Sequence, residues 1–206
     1  MPVYNIRIQS CIIGLIALLV LDGCKKGEND PTISLRSRKA RLTGEWEVKS
    51  ANWAMGDTVQ SYDGTDLITT LESGEADTFQ VEMSFEFTKD GDYKIETISN
   101  YPADYQGSGM VAFSTKNTED GVWNFAGGED GTPAKSRLLL LTTQLTLTST
   151  LTGSNIDITT FDGQTGGFIY DIDRLENKKM DLEYTFSEIT ATETMVRSGA
   201  LELTKK

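Results

Sequence analysis

The sequence predicts an all-β domain: an antiparallel, up-and-down β-barrel of about eight strands, led by a signal peptide and a short linker and helix. Three observations carry that prediction. From Thr43 onward, apolar and polar residues alternate with period two over many short segments. Turn-forming clusters separate them, among them Lys89-Asp90-Gly91-Asp92, Asn117-Thr118-Glu119-Asp120-Gly121 and Phe161-Asp162-Gly163. No long segment repeats with a helical period. Consecutive antiparallel strands with one apolar face must bury that face, and closing the sheet also removes its edges. A two-sheet β-sandwich satisfies the same periodicity and is the alternative.

The elements follow in order. Residues 44–50 place Trp46 and Val48 on one face and Glu45, Glu47 and Lys49 on the other. Residues 79–88 do the same with Val81, Met83, Phe85 and Phe87 against Glu82, Ser84 and Glu86. Tyr93 to Thr97 returns after a turn whose length the faces decide. A two-residue loop would set Phe87 opposite Lys94. A three-residue loop, Lys89-Asp90-Gly91, sets Phe87 opposite Tyr93 and Phe85 opposite Ile95, keeping the apolar side continuous, with Gly91 in the left-handed conformation. Further strands are read at 121–125, with Trp123 and Phe125 together, at 136–152 and at 155–161. Residues 167–175 and 180–187 form a hairpin turning near Asn177, with Ile172 opposite Leu182, Tyr170 opposite Tyr184 and Phe168 opposite Phe186. The last strand, 195–205, has Met195, Arg197, Gly199, Leu201 and Leu203 on one parity. Residues 54–77 and 99–120 are read as long connections, the places to look for a binding function.

The amino terminus says where such a domain is held. Residues 11–21, CIIGLIALLVL, are continuously apolar after a polar start with one basic residue, Arg7. At about 1.5 Å per residue they span roughly half of a ~30 Å hydrocarbon core, so the run reads as a signal peptide and not as a membrane span. Leu21-Asp22-Gly23-Cys24 follows. It resembles the bacterial lipobox, in which cleavage precedes the Cys and the Cys is lipidated; Asp22 stands where that pattern has a small uncharged residue. The resemblance implies a signal peptide at 1–23, lipid attachment at Cys24, and anchoring in the outer membrane, on its periplasmic face or the cell surface. The chain has two cysteines. Cleavage removes Cys11 and lipidation occupies Cys24, so no disulfide supports the exported domain.

Residues 24–34 read as a polar tether and 35–42 as a short basic helix with Ser34 as its cap; the barrel domain takes 43–206. Arg36, Arg38, Lys39 and Arg41 give that helix either a solvated face or a contact with anionic head groups.

Composition excludes several functions. With 31 acidic and 19 basic residues the formal net charge is −12, which disfavours nucleic acid. Histidine is absent, removing His-based acid–base, nucleophile and zinc chemistry. Outward carboxylates such as Glu45, Glu47, Asp171 and Asp173 read as solubilising residues, and Asp-Gly pairs as turns and not calcium ligands. No catalytic set, metal site or cofactor is assigned, and the chain is not expected to be an enzyme.

Gly44-Glu45-Trp46, opening the first strand behind a short helix, resembles the lipocalin signature. Together with the strand spacing, the Trp123-Asn124-Phe125 stretch and the ending Asn177-Lys178-Lys179-Met180-Asp181-Leu182, it makes residues 43–205 similar to the lipocalin-like lipoproteins of Bacteroidota-type bacteria. The resemblance implies that Trp46 plugs the closed end of the barrel and pairs with a cation of the last strand. Arg197, on the apolar parity, is the candidate, a cation–π pair worth about 0.5–2 kcal/mol. The inward residues Met83, Phe85, Phe87, Tyr93, Trp123, Phe125, Tyr170 and Tyr184 are the candidate lining of a site for a small apolar molecule. The expected function is thus a lipid-anchored binding module. The alternative is a structural or accessory lipoprotein with a filled barrel docking onto an envelope protein partner.

Overall fold

The structure is a computed structural model that describes residues 36–55, 58–70, 74, 76–103, 112–127, 135–150, 156–162, 167–189 and 194–206. The signal peptide, Cys24, the tether and Ser34 lie outside the described residues.

Among the described residues there is one short helix, α1 (Arg38–Leu42), capped by Ser37, whose side chain accepts from the Ala40 N–H at 3.2 Å. Five residues are too few for a helix to persist alone; packing holds this one, since Arg38, Arg41 and Leu42 are all buried. The basic run is therefore divided: Arg38 and Arg41 are buried, while Arg36 and Lys39 remain exposed. Arg41 donates to the Leu175 carbonyl, and Arg38 and Lys39 lie over the rings of Phe125 and Trp123 at 5.9 and 5.7 Å.

The strands are β1 (Gly44–Met55), β2 (Thr58–Tyr62), β3 (Asp66–Thr70), β4 (Ala76–Phe87), β5 (Asp92–Tyr101), β6 (Phe113–Ala126), β7 (Arg137–Ser149), β8 (Ile156–Asp162), β9 (Gly167–Leu175), β10 (Lys179–Ile189) and β11 (Thr194–Lys205). Every pairing is antiparallel, and β11 returns to β1. The sheet is a closed β-barrel, not an open sandwich. The expectation of about eight strands is corrected: ten form the ring, and β8 pairs on β7 beside it. The two extra ring strands are a wedge. At the end covered by α1, here the base, β1 pairs directly with β4, Trp46 opposite Phe85. Further up, the β2–β3 hairpin inserts between them.

The three-residue turn forms as its register requires. Phe87 faces Tyr93, Phe85 faces Ile95, the Thr88 N–H reaches the Asp92 carbonyl at 2.9 Å, and Gly91 has φ +106°. The β9–β10 hairpin pairs Ile172 with Leu182, but the ladder runs only from Leu175–Met180 to Asp171–Glu183. The expected pairings of Tyr170 with Tyr184 and Phe168 with Phe186 do not continue it. Residues 167–171 of β9 pair instead with β7 on their other side.

The base is packed solid. Leu42, Trp46, Val48, Phe87, Leu138, Leu140, Leu175, Met180, Leu182 and Leu203 are at most 2% exposed. Each such side chain contributes about 1.5–3 kcal/mol of transfer free energy, which is how the described residues, none of them a cysteine, hold their fold. Outward carboxylates face water with cations: Glu47 pairs with Lys49 and Asp171 with Arg137, both at 2.8 Å.

Candidate functional site

Bulges in β1, β7 and β9 decide which side chains reach the interior; in β9 Asp173 is extra, so Leu175 faces in on one side of it and Ile172 on the other. In β1 the register slips between Val48 and Ser50, so Lys49 is extra and the inward parity changes. Trp46 and Val48 face in below it, Ala51 and Trp53 above it. In β7 the slip opposite Asp120/Gly121 leaves Thr143 extra, so the inward set passes from Leu138, Leu140 and Thr142 to Leu145 and Leu147.

Above the solid base, the described residues line two hollows, each partly open to solvent, that share Trp53 and Tyr184. The first, about 330 Å³, is bounded by Trp53, Leu67, Val81, Met83, Tyr184 and Arg197 together with small polar residues. The second, about 440 Å³, is bounded by Trp53, Ile95, Leu140, Phe168, Tyr170 and Tyr184, with Glu119 and Thr142. Rings pack edge to face around it: Phe168 lies 4.8 Å and Tyr170 5.8 Å from Tyr184, centre to centre. Gly199 leaves the room for the Tyr184 ring, since a Cβ there would come within 2.5 Å of Tyr184 Cε1.

The polar groups of this interior are held in place. Tyr93 and Thr142 both donate to Glu119 Oε1 at 2.6 Å. Burial, then the bond to Glu119, pushes the Tyr93 hydroxyl well above its ordinary value of 10.0. Burial raises Tyr170 as strongly, with the Glu119 charge next in effect. Burial also raises Tyr184, and the positive charge of Arg197 works against it.

Of the expected lining, Met83, Tyr170 and Tyr184 border the hollows. Phe85, Phe87, Tyr93 and Trp123 are buried and Phe125 half-buried, and none of them borders either hollow. They fill the base and middle, where Trp123 packs edge-on against Phe87 and Phe125 at 6.0 and 5.5 Å. Trp53, Phe168, Glu119 and Arg197 join the site instead. The two tryptophans of β1 hold the missed signal: seven residues apart, Trp46 and Trp53 share a face only if a bulge intervenes.

The expected Trp46–Arg197 pair is corrected. The strands adjoin, but Trp46 stands opposite Lys205, and Arg197 stands opposite Met55 at the other end of β1. Trp46 is fully buried, its indole N–H donating to the Leu42 carbonyl at 2.7 Å. The cation over its ring is Lys205, with Nζ 5.0 Å from the ring centre. The same Nζ donates to the Arg41 carbonyl at 2.8 Å and to that of Thr43. Parity places 197 and 205 on one face; antiparallel direction brings the end of β11, not its start, to the start of β1.

Comparison with family models, with curated proteins and with solved structures finds no match.

Proposed function

We propose that this chain is a lipid-anchored, lipocalin-like binding module of the cell envelope. In this reading Cys24 carries the anchor at the outer membrane and the upper half of the barrel takes up one small, largely apolar molecule. The observation that carries the binding half is the division of the interior, solid over the base and hollow above, with aromatic and aliphatic side chains on the walls beside hydroxyls, an amide and one charged group in each hollow. Hollows of about 300–1,000 Å³ with apolar walls and few polar groups are the usual form of small-molecule sites. The lipocalin-like half rests on a first-strand tryptophan in the base beneath a last-strand cation, with Lys205 in the role expected of Arg197. The filled base is what favours the alternative, an accessory barrel docking by its outer surface.

The test is uptake of N-phenylnaphthylamine by the full chain. The wild type is expected to bind it at a single site with energy transfer from tryptophan. Met83→Trp, which puts bulk into the first hollow, is expected to weaken binding by about tenfold or more, as one lost buried contact of this size would. A folded wild type that takes up no probe turns the reading to the accessory barrel.

A further inference from the structure

The first hollow carries one charged side chain among the described residues that line it, the guanidinium of Arg197. No carboxylate lines it among those residues, in a chain with 31 acidic positions. Strand periodicity does the sorting. Val81 and Met83 line the hollow while Glu82 between them borders an outer groove with Glu47. Thr97 and Ser99 line it while Glu96 faces outward and pairs with Lys116 at 2.8 Å. The outer carboxylates act through water, where charges are screened. Arg197 shares its hollow with Trp53, Leu67, Val81 and Met83, where a charge is screened less than on the outer face. The second hollow carries the opposite sign, the Glu119 carboxylate held by Tyr93 and Thr142.

We propose that the ligand is an anionic amphiphile, its carboxylate-type head group received by Arg197 and its apolar body lying against Trp53, Met83, Tyr184 and Phe168. This rests on the binding-module reading above and names its ligand class. A guanidinium offers two parallel N–H donors to a carboxylate and keeps its charge throughout the working pH range. Thr97 and Ser99 place hydroxyls on another wall of the same hollow. Glu119 repels a second anion, so the head group stays in the first hollow and the chain enters the second.

The experiment uses the full chain in phosphatidylcholine nanodiscs, with empty nanodiscs as the partition blank, titrated with decanoate and with decanol of equal chain length. The wild type is expected to bind decanoate about ten- to a hundredfold more tightly than decanol, the range of a charge-assisted hydrogen bond. Arg197→Met is expected to erase that preference while keeping decanol affinity. Equal affinity for the two ligands in the wild type, or a preference that survives in Arg197→Met, overturns the inference and leaves the cavity reading standing. A wild type that binds neither overturns both. If Arg197→Met loses decanol as well, Arg197→Lys decides: a reduced preference for decanoate supports the fork-like contact, and an unchanged one overturns it.

Discussion

Lys205 shows how much one side chain can join. It lies over the Trp46 ring and donates to two carbonyls at the end of α1, so it ties the last strand to the helix that covers the base. Gly44 gives it passage, since a Cβ at that position would stand 2.6 Å from Lys205 Cε. Burial, then the nearby charge of Arg36, holds its ammonium below the ordinary lysine value. Lys205→Met keeps most of the stem and removes the donors, leaving two carbonyls short of a partner. It is expected to cost about 1–3 kcal/mol, read as a lower urea midpoint with an unchanged slope. An unchanged midpoint would make Lys205 a spectator. That a last-strand cation sits over Trp46 was legible from the Gly-x-Trp opening; which cation was not legible from parity, because 197 and 205 share it.

At the scale of elements, the β6–β7 pair has the least slack. Its bulge brings Gly121 against β7, where an added Cβ would meet the Leu141 carbonyl oxygen at 2.2 Å and Tyr93 Cε1 at 2.6 Å. Gly121→Ala therefore has to move backbone and ring together. The expected loss is about 1–3 kcal/mol, as for other overpacked cores, checked by chemical denaturation; a neutral substitution would mean that the two strands stand further apart. The elements read most fully are those with a run of apolar residues on the inner face, such as β4 with Val81, Met83, Phe85 and Phe87. The three-residue turn before β5 followed from such faces alone. The stretch read as a connection over 99–120 contains the end of β5 and the first half of β6. There the inward parity of β6 runs Phe113, Thr115, Asn117 and Glu119, largely polar because it borders the hollow part of the barrel, so the alternation that marks a strand is missing. The β2–β3 hairpin in 54–77 escaped for a related reason: short and rich in Thr, Ser and Asp, it wedges into the ring without adding an apolar stripe.

For the whole molecule, closure and anchoring are separate questions. Cys24→Ser is expected to abolish palmitate labelling and to move the chain out of the membrane fraction. Undiminished labelling would remove the lipobox reading and leave the barrel as it is. The antiparallel all-β class, the turn chemistry, the apolar inner face of most strands and the exclusion of histidine chemistry were determined by sequence alone, because each depends on residue type or on period two. The ring size, the wedge that widens it, the boundary between solid base and hollow top, and the placing of Arg197 and Glu119 on opposite sides of that hollow were decided only in three dimensions. Bulges shift a strand's parity by one residue, and antiparallel closure chooses which ends meet; neither event leaves a periodic mark in the chain.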